Sequence, residues 1–310
     1  MPRSRESHKI GPYEILREIG RGGMATVYEA KLPSEEAHVA LKVADSDKSD
    51  FIKAEEEHLE ELAAVLQHPS ILNILPLHLG DGEKPHYIAR DPKSGRWYIA
   101  LRYVSGGSLR DRLDSSGRIG LREAIKIASQ IAYALDYAHS KGIIHQDVKP
   151  TNILLEETSS GETRTFLSDF GIATSKCLKD TGMIVGTAGY MSPEQTLGEK
   201  LDRRSDVYSL GVVLHEMLTG RLPSENSPNT VASEHANQPL SSRSDLLPQE
   251  VEPIVVRALA KDPDKRFQSI GDMAAALANA LRASDAARAD CPPSLRSTAD
   301  SQKYLPRNEH

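Results

Sequence analysis

The chain has 310 residues, 39% of them apolar and 26% charged, which suits two small domains or one bilobal globular unit. Its net charge of −6 argues against a broad nucleic-acid-binding surface, and its two cysteines, Cys177 and Cys291, are too few for a disulfide framework. No apolar run approaches the ~20 residues of a membrane span, and Met1 to Lys9 lacks the apolar core of a secretory signal, so a cytoplasmic protein is expected.

Taken in chain order, residues 13–19, 26–30 and 38–43 alternate between apolar and polar side chains, as half-buried strands do. A glycine cluster from Gly20 to Gly23 separates the first two, which predicts a hairpin followed by a third antiparallel strand. Residues 51–67 predict a helix with Leu59, Leu62 and Leu66 on one face, stopped by His68 and Pro69. Further strands are predicted over 71–79, 87–89 and 97–104. After Ser105, Gly106 and Gly107 the pattern turns helical. A long amphipathic helix is predicted over 121–139, stopped near Gly142, and a very apolar one over 205–219, with Ser205 as its cap and Gly220 as its stop. Helices also fit 251–260 and 269–282. The expected fold class is therefore α+β, a sheet-rich first third and a helical remainder joined near residues 102–106. Residues 1–10 and the polar, proline-containing 284–310 are expected to be flexible. The stretches 80–97 and 156–164 are longer than tight turns need and read as insertions.

Four groups of residues carry chemistry. Gly20, Gly22 and Gly23, with Val27 beyond them, could let backbone N–H groups approach phosphate without Cβ clashes. Lys42 stands one strand after that hairpin, as a cation for the same phosphates. Asp147 and Asn152 share one loop at a spacing that lets the first orient a hydroxyl while the second offers an amide oxygen to a metal. Lys149 between them can neutralise a moving phosphoryl group. Asp169 follows the apolar Phe166 and Leu167 and offers a hard oxygen suited to magnesium. Each signal is weak alone; their order gives them weight, because phosphoryl transfer asks a protein mainly for positioning and charge neutralisation.

In that order the sequence resembles the protein kinase family, specifically the bacterial Hanks-type serine/threonine kinases, over roughly residues 11–282. Gly20–Val27 resembles the glycine-rich loop, Val39–Lys42 the strand lysine, His145–Asn152 the catalytic loop and Asp169–Gly171 the metal motif. Gly186–Glu194 is similar to the peptide-docking end of the activation segment. The resemblance implies a bilobal protein kinase fold, with an antiparallel-sheet N-lobe at 11–104 and a larger helical C-lobe at 105–283. It implies ATP and Mg2+, with Mn2+ as a substitute, and protein substrates bearing serine or threonine, the class suggested by Lys149 and Thr187. It implies that Asp147, Lys149, Lys42, Asn152 and Thr187 serve catalysis and that Asn152 and Asp169 hold the metal. Gly20, Gly22, Gly23, Val27, Ala40, Leu101, Arg102, Tyr103, Val104 and Leu154 would surround the nucleotide, with Leu101 as gatekeeper. Asp206 would pin the catalytic loop, and Arg266 would pair with Glu194.

Some positions depart from the family pattern. Gln146 stands where the family commonly has arginine; an amide cannot form a bidentate charged pair with a phosphorylated activation segment. Ala25 replaces the third loop glycine, and Arg102 stands where an acidic hinge residue is common. The helix carboxylate expected to hold Lys42 is Glu55, with Glu56 next. Thr174, Ser175 and Thr181 are hydroxyls open to autophosphorylation. The competing readings are a pseudokinase or nucleotide-binding scaffold of the same fold, a small-molecule phosphotransferase, and a protein-binding module acting through the tail. No nucleic-acid partner is expected, and nothing in the chain sets an oligomeric state.

Overall fold

The computed structural model describes residues 8–23, 25–45, 56–77, 85–170, 188–223 and 246–289. The first part is a sheet of β1 (Lys9–Ile10), β2 (Tyr13–Arg21), β3 (Ala25–Lys31), β4 (His38–Ala44), β5 (Ile74–Leu75), β6 (Ala89–Arg90) and β7 (Trp97–Arg102). All its pairings are antiparallel, in the order β1-β2-β3-β4-β7-β5, with β6 also on β7. β4 is covered on both faces, since the successive residues Ala40 and Leu41, and Val43 and Ala44, are all buried, which is why its sequence is almost continuously apolar. Lys42 is the polar interruption in that run.

Helix α1 (Glu56–Val65) buries the predicted face. Leu59 joins the cluster of Ala40, Ile99, Leu101 and Phe166, while Leu62 and Leu66 join Ile71 and Phe170. Burying one such leucine contributes about 1.5–3 kcal/mol. The expected strand over 71–79 is only two residues long, flanked by isolated bridges at Ile71 and Leu77. Those bridges have a purpose: Leu72 N donates to Leu167 O and Leu167 N to Ser70 O, each at 2.9 Å, stitching the sheet to the part below.

The remainder holds α2 (Leu109–Ser116), α3 (Leu121–Ser140), the hairpin β8 (Ile153–Glu157) and β9 (Thr163–Leu167), α4 (Pro193–Thr196), α5 (Arg204–Thr219), α6 (Glu252–Ala258) and α7 (Ile270–Ala289). One large apolar core joins α3, α5, α6 and α7. Every residue of α5 from Ser205 to Leu218 is buried, as a helix apolar all round requires. Gly220 stops it in the left-handed conformation, φ +74°.

Several expectations need correction. Ser205 is not the cap of α5; Asp202 Oδ1 accepts from Arg204 N at 2.8 Å, and Ser205 Oγ turns inward to donate to Glu194. The expected insertion over 156–164 is ordered at both ends, where β8 and β9 stay paired out to Glu157 and Thr163. The stretch 85–97 is likewise bound: Gly11 N and Ser94 both donate to the buried Asp91 carboxylate. The expected tail from 284 begins as helix, because α7 continues to Ala289 through an alanine-rich stretch of high helix propensity. Asp285 on that extension pairs with Arg122 of α3. At the other end, Lys9 and Ile10 form a strand rather than a flexible lead.

Candidate active site

The sheet part and the helical part enclose a cleft of about 840 Å³, within the usual range for ligand sites. Its roof is the β2–β3 turn and β4. Gly20 pairs with Val27, and Val27 with Lys42, so turn, apolar roof and cation follow in successive registers. Ala40 pairs with Leu101 across β4 and β7. Arg102, Tyr103 and Val104 form the back of the cleft and Leu154 its floor. Neither Gly22 nor Gly23 has a positive φ, and a Cβ there would meet no atom closer than 3.6 Å. Protein packing thus does not demand glycine at either position; a ligand drawn close to the backbone would. Gly22 lines the cleft; Gly23 is not among the lining residues.

The connection from β7 to α2 is fixed by packing. A Cβ on Gly106 would lie 2.2 Å from Leu155 O, so only glycine lets the hinge close against β8. Arg102 stacks its guanidinium over the Phe166 ring at 4.5 Å and donates to both Glu156 carboxylate oxygens at 3.0–3.1 Å, bridging hinge and hairpin. Tyr103 OH donates to Glu29 at 3.1 Å, and the same carboxylate takes bonds from Arg17 and His38 at 2.6 Å.

Below the roof, residues distant in sequence meet. Lys42 Nζ lies 2.7 Å from Asp169 Oδ1. Burial pushes the Asp169 carboxyl up, but Lys42, joined by His145 and Lys149, holds the group below its ordinary value. Lys149 Nζ lies 2.7 Å from Asp147 Oδ2. The Asn152 amide donates to Asp147 O at 2.9 Å and to Oδ2 at 3.0 Å, which turns its own oxygen away from Asp147. Asn152 and Asp169 are joined through Ser168, whose N and Oγ both donate to Asn152 O. A cluster of three or more carboxylate, histidine or cysteine ligands is absent among the described residues. Two oxygens completed by water and phosphate suit magnesium, which seldom uses an all-protein cage.

The loop carrying Asp147 is held from beneath. Buried Asp206 accepts from His145 N at 2.9 Å, Gln146 N at 2.8 Å and His139 Nε2 at 2.7 Å. The buried His145 ring packs edge-on to Phe170, centroids 4.5 Å apart, and its Nε2 meets Ser168 O at 2.9 Å. Gln146 and Asp169 are the only non-glycine positions with positive φ among the described residues, +67° and +62°. Such conformations cost about 1–3 kcal/mol and persist only where surroundings over-determine them.

The family described as the protein kinase domain matches residues 13–279. The chain belongs to the protein kinase family. It is 37% identical over 280 residues to the serine/threonine-protein kinase PknJ of Mycobacterium tuberculosis, covering 87% of this chain and 45% of that one. It is 38% identical over 284 residues to the serine/threonine-protein kinase PknB of Mycolicibacterium smegmatis, covering 87% and 43%. The kinase domain thus spans less than half the length of these curated relatives. In crystal structures it is similar to the Mycobacterium tuberculosis PknI kinase domain, at TM-score 0.65 and 29% identity, covering 88% of this chain and 98% of that one.

In this kinase domain the segment after residue 187 docks on α5. Arg266, fully buried, donates to both oxygens of Glu194 at 2.7 and 2.8 Å. Tyr190 OH donates to Glu216 at 2.5 Å, and Arg110, whose side chain lines the cleft, donates to the other oxygen at 2.6 Å. Glu55, Thr187, Gly171, Thr174, Ser175 and Thr181 lie outside the described residues, and of Glu56 only the backbone is described. Sequence reasoning overlooked Ser168, His139, Arg110 and Gln195. Only Gln195 had a legible signal, since Ser192 followed three residues later by glutamine is a capping-box pattern.

Proposed function

We propose that this domain transfers the γ-phosphoryl group of ATP to serine or threonine hydroxyls of other proteins, and to its own. The carrying observation is the 2.7 Å approach of Lys42 to Asp169, in the cleft that also holds Asp147, Lys149 and Asn152. Its relatives' description as serine/threonine-protein kinases supports the same reading.

Val27, Ala40 and Leu154 would sandwich the base, while backbone groups of Arg102–Val104 hydrogen-bond its edge. Lys42 would bind the α- and β-phosphates. Asn152 Oδ1 and the Asp169 carboxylate would hold Mg2+, or Mn2+ in its place; when bound, the ion neutralises charge developing on the phosphates. Asp147 orients the acceptor hydroxyl and takes its proton. The acceptor oxygen bonds to the γ-phosphorus as the bond to the β,γ-bridging oxygen breaks, and that electron pair leaves with ADP. Lys149, already 2.7 Å from Asp147, neutralises the phosphoryl group in flight. Lobe closure about the hinge excludes water.

The net negative charge speaks against a nucleic-acid partner, and the low cysteine count fits a reducing, cytoplasmic setting for the domain. No helix among the described residues is long and apolar enough to cross a membrane.

The test is magnesium-dependent transfer of labelled γ-phosphate to a generic acceptor protein. Asp147→Asn should lower kcat by about 10²–10⁴-fold with ATP still bound, and Asp169→Asn should abolish transfer. Wild-type protein that binds ATP yet transfers nothing would leave only a nucleotide-binding scaffold.

A further inference from the structure

We infer that Gln195 is a positioning residue that locks the peptide unit preceding Asp147 to the docking segment, an inference that rests on the kinase reading above. Gln195 is the third residue of the short helix α4, and its side chain faces two ways. Its Oε1 accepts from Ser192 N at 3.0 Å and Ser192 Oγ at 3.1 Å. Its Nε2 donates to Gln146 O at 2.7 Å.

That carbonyl belongs to the planar unit whose other end is the N–H of Asp147. The N–H donates to His145 Nδ1 at 3.2 Å. The unit before it is held by Asp206, which takes Gln146 N at 2.8 Å and His145 N at 2.9 Å. Gln146 sits between these two units at φ +67°, where a side chain is disfavoured. Gln195 therefore closes the last free end of a strained turn immediately ahead of the candidate base. Without it the Gln146–Asp147 plane can rotate toward a relaxed φ, and the Asp147 carboxylate rotates with it. A shift of about 1 Å in such a group can cost about 10²-fold in rate. Oε1 is committed to two Ser192 donors, so the amide cannot flip, and the docking segment dictates its orientation.

Helix capping alone is the competing account, and two substitutions separate the roles. Gln195→Glu keeps the acceptor for Ser192, because serine with glutamate is an equally good capping box. It loses the donor to Gln146 O and sets a carboxylate against that carbonyl. Gln195→Lys keeps a donor and loses the acceptor. The expected pattern is crossed. The Glu variant, assayed where it is fully folded, keeps its KM for ATP but loses at least tenfold in kcat. The Lys variant melts earlier yet keeps kcat within about threefold of wild type, well above Gln195→Ala. A Glu variant with wild-type kcat overturns the inference. Should the Glu variant not fold, the Lys variant decides: a kcat loss as deep as that of Gln195→Ala overturns it. Active wild-type protein with unchanged variants removes this inference alone, whereas wild-type protein without transfer removes the kinase reading beneath it.

Discussion

Replacing Arg266 with methionine should destabilise the domain more than almost any other single change, although Arg266 lies outside the cleft. All five of its N–H donors are satisfied: two by Glu194, and one each by the carbonyls of Arg204, Ala260 and Lys261, at 2.7–3.0 Å. The guanidinium also faces the Tyr208 ring, 5.0 Å from its centroid. Methionine fills much of the volume but leaves Glu194 buried and deprived of its cation. Breaking a buried pair in this way costs about 3–5 kcal/mol, a large fraction of a typical stability of about 5–15 kcal/mol. At about 2–4 °C per kcal/mol for a domain of this size, the melting temperature should fall by about 6–20 °C.

Acid adds a second, signed test. Burial raises the Glu194 carboxyl, but the bonds and charge of Arg266, with hydrogen bonds from the backbone and Ser205, together depress it further than burial lifts it, so it lies below its ordinary value. A depressed carboxylate stabilises fully above its unfolded pKa, at about pH 5 and higher, and that contribution disappears as pH falls through the folded value. In the methionine variant the same carboxyl is buried without a cation, so its pKa should rise and acid should relieve part of the penalty. Urea titrations at pH 7 and pH 4 should therefore show the gap between wild type and variant narrowing in acid. A loss below about 1 kcal/mol at pH 7, or a gap that widens in acid, would refute the reasoning.

Two further outcomes follow from the cleft. Gly106→Ala drives a Cβ against Leu155 O and should cost about 1–3 kcal/mol in urea unfolding. Gly22→Ala, at a residue that lines the cleft, meets only Ala25 O at 3.6 Å and should leave stability unchanged or slightly raised while increasing KM for ATP; equal stability losses would show that both glycines serve packing. Gln146 offers an amide where a phosphate-gripping arginine would stand, so phosphatase-treated protein should keep its activity within about threefold. A fall of orders of magnitude would mean that another cation grips a phosphorylated activation segment.

The sequence carried the fold class, the strands from Tyr13 to Ala44, the helices over 121–139 and 205–219, and the order of the chemistry-bearing residues. These are local properties: a period of two or 3.6, a glycine stop, residue types at short spacing. It misjudged the end of α7, because the alanine-rich extension is polar on average and its helix is anchored by Arg122 of α3, far upstream. It left 156–164 without an assigned element, because the short hairpin ends there have the composition of a loop.

What only the tertiary structure decided are the meetings across the chain. Lys42 and Asp169 are 127 residues apart, Glu194 and Arg266 72, and Gln195 and Gln146 49, yet each pair is within hydrogen-bonding distance. Periodicity reports which face of an element turns inward and says nothing of what waits there. That is set by the crossing of helices and strands around a shared core, where ordering a side chain is favourable only against the partner that packing delivers.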